Sequence, residues 1–384
     1  MPRASSASRT MSTKLKIPSF SEAKNRRQKV RAAGMNPNYW YPVEYSEKLG
    51  VGEVREVVFW GKPFALFRGQ DGKCRAIENR CAHRQLELST GEVRGCQLVC
   101  PYHGWTFDGE GRLVDIPHEL FGKSMPNIRL PDYEVRERYG LIWLFPGERE
   151  RADSVAIPEI PELEGPSAWA CVPVDFTWQA HHSMIIDNVS DFSHEFLHRK
   201  YEPFKDPKLT RVEAGEDAVF VEYDTRVAAG KLYRHFVPSV DTSHMQLCYA
   251  YPHQWSNTDD WIKHWCLVLP IDERTTRVFF LFYYKQLEVP GIGLPIPRRL
   301  MEPILGVANR LLMRPLLEED GFAVEAEQRG YERHYDAPLA ELNPAVHEFQ
   351  KLTVRKWEEY LAEREQAPAQ RRLPIMASAP HESC

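Results

Sequence analysis

Two cysteine–histidine pairs are the first residues in this chain that could do chemistry. Cys81-Ala82-His83 is followed, after sixteen residues, by Cys100-Pro101-Tyr102-His103-Gly104-Trp105. Each pair offers one soft thiolate and one imidazole. Two thiolates suit one iron of a [2Fe–2S] cluster and two neutral imidazoles the other. Exchanging thiolate for imidazole removes negative charge and raises the reduction potential. Such a cluster takes electrons from a ferredoxin or flavin reductase and passes them on. The competing reading is a Cys2His2 zinc site. Zinc fingers group Cys with Cys and His with His, whereas here each loop carries one of each. Cys96 lies between the pairs, but no histidine neighbours it.

A second group lies between Asp187 and His198. On a helix, at about 100° per residue, Asp191, His194 and His198 share an arc of about 60°. Ile185, Val189, Phe192 and Phe196 recur at helical spacing on another face. Histidines four residues apart can chelate one metal without distorting a helix; a solvated polar face is the bland alternative. Downstream, Glu318-Glu319-Asp320, with Glu325, Glu327 and Gln328, places carboxylates near the start of a late helix. Two histidines and one carboxylate with open positions form the facial triad of Fe(II) oxygenases. A cluster that delivers electrons needs such a destination. His181 and His182 are rival donors, read as lining the helix start.

The flanking residues carry a resemblance. Cys81-Ala82-His83-Arg84, Leu88-Ser89, the run from Cys100 to Asp108, and Ile116-Pro117 resemble the Rieske domain of Rieske non-haem iron oxygenases. Gln85 stands where that family usually has glycine. Asn188-x-x-Asp191-x-x-His194 and Glu319-Asp320-x4-Glu325 resemble the family's catalytic domain, although many members space the two histidines one residue wider. The resemblance spans residues 38–332.

It implies that Cys81, His83, Cys100 and His103 bind a Rieske [2Fe–2S] cluster, and that His194, His198 and Asp320 bind a mononuclear Fe(II). Asp191 falls at the catalytic aspartate that bridges to a neighbouring subunit's cluster. The implied fold class is α+β: an all-β Rieske domain, then a helix-grip (START-like) antiparallel-sheet catalytic domain. The implied partners are a small organic substrate with O2, a reductase or ferredoxin as electron donor, and two further copies in a homotrimer. The chain resembles single-component-type α subunits (steroid hydroxylases, aromatic O-demethylases, tailoring oxygenases) more than dioxygenases paired with a β subunit. Monooxygenation or oxidative demethylation is therefore expected. The alternatives are cis-dihydroxylation of an arene, or a non-catalytic electron-transfer or ligand-binding protein; intact His194, His198 and Asp320 speak against the last.

The elements that position these groups follow from the pattern of the chain. Residues 1–36 are basic and Ser-rich and read as a flexible arm rather than a transit peptide. Residues 37–150 are all-β in character, with runs Glu56–Trp60, Pro63–Arg68, Leu98–Cys100 and Leu141–Phe145 broken by Gly turns. Charged, Pro-bearing residues 147–166 read as a connection. The catalytic part, 151–366, opens with the iron helix. It continues in strands Ala218–Asp224, His244–Tyr251, Trp261–Leu269 and Arg277–Lys285, and then helices Arg298–Met313, halted by Pro315, Glu318–Tyr331 and Pro344–Glu365. Residues 367–384 read as a flexible tail. Pocket walls are expected from Met184–Phe196 and strand aromatics Phe236, Tyr249, Tyr251, Trp265, Phe282 and Tyr284, none singled out as a substrate contact.

Bulk properties exclude several classes. A net charge of -5 gives no signal for nucleic acid. Eight scattered cysteines are too few for a disulfide framework in 384 residues, which points to a reducing, cytoplasmic setting. Residues 1–20 hold no apolar core of a signal peptide, and no run is long enough to span a bilayer. The stretch Val289–Leu317 is apolar and carries Arg298, Arg299, Arg310 and Arg314. Packing on the sheet is its ordinary reading, and contact with a membrane surface the other.

Overall fold

The computed structural model describes residues 17–165, 168–198, 203–227, 242–285 and 296–366. Ten strands run through its first part: β1 (Tyr41–Tyr45), β2 (Val54–Phe59), β3 (Lys62–Arg68), β4 (Cys74–Glu78), β5 (Glu92–Arg94), β6 (Gln97–Val99), β7 (Thr106–Phe107), β8 (Leu113–Asp115), β9 (Asp132–Arg138) and β10 (Leu141–Phe145). They make a six-stranded sheet ordered β1-β10-β9-β4-β3-β2 and a four-stranded sheet ordered β5-β6-β7-β8. The apolar run of β3 serves two cores because successive side chains leave opposite faces of a strand. Phe64 and Leu66 join the main core of the molecule. Ala65 and Phe67 join a smaller one with Ile77, Leu88, Leu98, Cys81 and Cys100.

The second part holds β11 (Ala170–Trp178), α2 (His182–Ser190), β12 (Phe204–Ala214), β13 (Ala218–Val227), β14 (Ser243–Ala250), β15 (His253–Thr258), β16 (Ile262–Pro270), β17 (Thr276–Tyr284), α3 (Arg298–Ala308), α4 (Arg314–His334) and α5 (Pro344–Gln366). Its strands form one antiparallel sheet ordered β11-β17-β16-β15-β14-β13-β12. Helices cover one face. Gln254 donates to the Ile186 carbonyl of α2 at 3.0 Å, and the Tyr249 and Thr353 hydroxyls meet at 3.1 Å against α5. The other face packs on the first part, where His253 lies 2.9 Å from the Trp40 carbonyl and Arg277 pairs with Glu44 at 3.0 Å.

Three expectations need correction. The basic arm is not a loose arm from residue 17 onward: α1 (Arg26–Ala32) is capped by Asn25 and buries Val30 and Arg31. It reads as a flexible arm because the partners of its cations are far away in sequence. Lys29 pairs with Glu358 at 2.7 Å, and Arg27 donates to the carbonyls of His334 and Ala337. Pro315 does not halt the helix before it. A π turn, Asn309–Met313, joins α3 to α4, and the helix runs on through Pro315 near the start of α4. The iron helix stops at Ser190, eight residues short of His198. Residues 1–16, 289–295 of the basic apolar stretch, Phe236 and the tail 367–384 lie outside the described residues. Among the described residues no helix is long and apolar enough to cross a membrane.

Candidate metal centres and active site

The two cysteine–histidine loops leave β4 and β6 and turn in the same way. In the first, the Gln85 amide donates to the Cys81 carbonyl at 2.9 Å; in the second, Gly104 donates to Cys100 at 3.0 Å. The fourth residue after each cysteine is left-handed, with φ 62° at Gln85 and 70° at Gly104. Gly104 meets a further demand: a Cβ there would lie 2.7 Å from Pro117, so its absence lets the third loop close over the pair. Gln85 supplies the same turn at a conformational cost.

Both thiols are buried, and the imidazoles lie toward the surface. His83 Nδ1 and His103 Nδ1 are 3.1 Å apart, and the His83 ring stacks on Trp105 with centroids 4.7 Å apart. Burial pushes the Cys81 thiol up to about 11, against the pull of the His83 and Arg84 backbone amides, and Cys100 adds to the rise. Coordination to a cation would deprotonate it. Two thiols on the inner side and two converging Nδ1 atoms on the outer side fit a [2Fe–2S] cluster with mixed ligands.

The second set converges although the helix expected to carry it ends early. Asp191 ends α2 because its side chain competes for the backbone: Oδ1 accepts from Ser193 N at 2.8 Å, an Asx turn that replaces helical bonding. His194 and His198 follow in turns. Asp320 arrives on α4. His194 Nε2 lies 3.5 Å and His198 Nε2 3.4 Å from Asp320 Oδ1. Among the described residues these form the one group of three or more His, Cys, Asp or Glu that could hold a metal ion, with donor atoms all within 4.8 Å of one another. Bonds of about 2.1 Å meeting at a right angle would hold donors about 3 Å apart, so the two His–Asp320 separations lie within half an ångström of what one ion needs.

Supporting contacts orient each donor. His198 Nδ1 lies 3.0 Å from Glu319 Oε2, and Asn188 Nδ2 donates to Asp320 Oδ1 at 3.3 Å. The His194 ring bonds to the Asp191 backbone, and desolvation holds its pKa below the ordinary imidazole value. Phe204 stands edge-on to both histidines. Gly321 lets α4 approach β11: a Cβ there would lie 2.4 Å from Trp178 Nε1. The Asp191 carboxylate accepts from Asn343 Nδ2 at 2.8 Å, at the start of α5.

The remaining candidates have other work. His181 caps α2, and His182 lies 2.8 Å from the Ala33 carbonyl. Glu325 and Gln328 accept from the backbone of Gln179 and His181, and exposed Glu318 lies 3.5 Å from Arg314. Glu327 meets Arg31, whose buried guanidinium also reaches Asp187 and Ser183 on α2 at 2.7 Å each. Sequence reading named Asn188 and Glu319 as motif residues without giving them a supporting role, and missed Phe204 and Arg31 as supports. Of the expected pocket aromatics, Tyr249 is core against α5. Trp265 points away from the helices by strand alternation. Phe282 lies on the helix-covered face beside His264, rings 4.9 Å apart, in an aromatic strip with Phe176, Trp178 and Phe280.

Residues 39–126 match the family model described as Rieske [2Fe-2S] domain, and residues 178–364 match that of the vanillate O-demethylase oxygenase C-terminal domain. The chain is 46% identical over 347 residues to the 4beta-methylsterol monooxygenase of Methylococcus capsulatus, covering 89% of this chain and 94% of that protein. It is 33% identical over 207 residues to the vanillate O-demethylase oxygenase subunit of a Pseudomonas species, covering 51% and 55%. Crystalline dicamba monooxygenase bound to dicamba superposes with a TM-score of 0.70 at 22% identity, covering 87% of this chain and 100% of that one.

Proposed function

The chain belongs to the Rieske non-haem iron oxygenases, and on that premise we propose that it hydroxylates a methyl group on an apolar, polycyclic substrate of the methylsterol kind. It is a terminal oxygenase component of the monooxygenase and demethylase type, working with dioxygen and electrons from a reductase or ferredoxin. Arene dihydroxylation is not favoured. When bound, a Rieske cluster supplies single electrons and a mononuclear Fe(II) activates dioxygen.

In this reading Cys81, His83, Cys100 and His103 hold the cluster, and His194, His198 and Asp320 hold the iron. Glu319 keeps the His198 ring in place, and the Asp191 backbone does the same for His194. The residues fall into a cluster domain, 37–150, and a catalytic domain, 151–366, to which α1 adds a helix. The substrate reading rests on one observation: the rings of Phe176, Trp178, Phe280 and Phe282 line the sheet face near Asp320. The likeness to a methylsterol monooxygenase supports it. No disulfide joins the seven described cysteines, in keeping with a reducing, cytoplasmic compartment.

We also infer a ring-shaped homotrimer. Leu86, Tyr102, Phe121 and Met125, all exposed, belong to the cluster loops or the segment that follows them. They would form a rim of the kind a protein partner covers, with Asp191 of the next subunit under the histidines. A head-to-tail contact that closes makes a ring.

The test supplies labelled dioxygen, a surrogate reductase, and either a 4-methylated sterol or an aryl methyl ether. One labelled atom in a hydroxymethyl sterol is the expected product. Turnover of the aryl ether alone would overturn the substrate reading, and two labelled atoms would overturn monooxygenation.

A further inference from the structure

The helix α3 has two unlike sides. Met301 and Leu305 are buried against Ala170 and Val172 of the edge strand β11. On a separate side, about 110° round the helix, Leu300, Ile304 and Val307, with Leu311 in the π turn that follows, are 48–62% exposed. At about 100° per residue these four fall within an arc of about 60°. Apolar residues at this spacing normally face a core; here they face outward.

The polar residues beside this stripe are basic. Arg299 and Arg310 project from one flank, exposed, and neither makes an ion pair to a described residue. Arg314 follows on the same side, over the Phe176 ring at 4.7 Å. The helix's acid, Glu302, lies well away from the stripe and pairs with Arg298 at 2.7 Å.

We propose that α3 is an interfacial helix that rests on an anionic lipid surface, with Leu300, Ile304, Val307 and Leu311 among the acyl chains and Arg299 and Arg310 at the phosphates. An apolar stripe with a basic flank is the pattern by which helices lie in a membrane interface. A second copy of the chain fits less well. A self-complementary contact would bring the arginines of both copies together, and the inferred ring contact uses the cluster loops instead. The position suits delivery of a lipid-soluble substrate. α3 covers the same face of β11 as the aromatic strip, and the π turn joins it to the helix that carries Asp320. The purpose of the contact rests on the substrate reading above; the contact itself does not.

The experiment sediments the purified, metal-loaded protein with phosphatidylcholine vesicles, with and without phosphatidylglycerol. Binding to the anionic vesicles is expected. The pair Ile304→Asp and Leu311→Asp should lower partitioning about tenfold or more. Arg299→Ser and Arg310→Ser should each lower it about fivefold on anionic vesicles only. Iron and cluster content should stay constant throughout. The proposal falls if the protein stays in the supernatant or if the Ile304 and Leu311 pair binds as before. It also falls if that pair changes the oligomer's mass while vesicle binding is unaltered, which would make the stripe a subunit contact. Turnover of a sterol held in cyclodextrin is read in parallel. Vesicle binding without sterol turnover would leave this proposal standing and remove the substrate reading; the converse would do the reverse.

Discussion

His198 presents Nδ1 to Glu319 at 3.0 Å and Nε2 to Asp320 at 3.4 Å, so two neighbouring acids on α4 grip opposite edges of one ring. The acid at Nδ1 fixes the tautomer and orientation in which Nε2 is free to bind metal. Glu319→Ala should weaken Fe(II) binding about 10- to 100-fold while the cluster's EPR signal is retained. Asp320→Ala should lose the iron outright. Glu318→Ala should change neither, since Glu318 is exposed toward Arg314. Fe(II) titration followed by metal analysis checks all three; iron loss in Glu318→Ala would show the ligand assignment to be misplaced.

Asp191→Asn should abolish turnover and keep both metal centres, because its side-chain oxygen can still close the Asx turn to Ser193 and the His194 ring bonds to the Asp191 backbone. Transfer between subunits can be isolated by mixing Cys100→Ser, which lacks the cluster, with His194→Ala, which lacks the iron. Mixed oligomers should recover activity. Inactivity, with mixed assembly verified by mass, would rule the route out.

Gln85 holds φ 62° in a loop position equivalent to Gly104. A left-handed conformation costs a residue with a Cβ about 1–2 kcal/mol. Gln85→Gly should therefore raise the unfolding temperature of the cluster-loaded protein, and Gln85→Val should lower it, with little change in reduction potential. An unchanged temperature in both would show that the loop relaxes freely.

Burial holds His182 near 3 and His253 and His264 near 4, all below the ordinary imidazole value. The folded state thus binds fewer protons than the unfolded state across this interval. Stability is full above about pH 6.5 and declines as pH falls toward the folded values, by about 1.4 kcal/mol per pH unit for each ring. Urea titrations from pH 7 to pH 5 should show this slope. His253→Gln, which can still reach the Trp40 carbonyl, should remove one ring's share; an unchanged slope would mean that His253 titrates normally.

The sequence was most readable where ligand chemistry restricts residue type. The mixed Cys–His loops state their cofactor without a fold. The iron site was legible in its members but not in its geometry: the periodicity of Ile185, Val189 and Phe192 runs on through Phe196, while the Asx turn at Asp191 ends the helix. The structure leaves Phe196 74% exposed. Strand β12 was missed because Pro207 and a mainly polar sequence suit an edge strand and read as a loop. Strand β15 was missed because Gln254, Ser256 and Asn257 are polar yet bonded inside. Arg31 carries no local signal, since its partners lie more than a hundred residues away, and Glu319 stood in a recognised motif without any sign that His198 was its partner.

The helix α1 has one more consequence, for the order in which the protein is made. Arg31 leaves the ribosome 156 residues ahead of Asp187 and 296 ahead of Glu327. The strands β1–β10 and both cluster loops lie between Arg31 and Asp187, and the chain rejoins the catalytic sheet at β11 before it reaches α2. The whole cluster domain emerges before Arg31 has a partner on α2, and the set of partners is complete only when α4 has emerged. With Arg31 held by Asp187 and Glu327 and β11 paired into the catalytic sheet, the cluster domain is moored at both ends, and a truncation before Asn36 would leave only the second mooring.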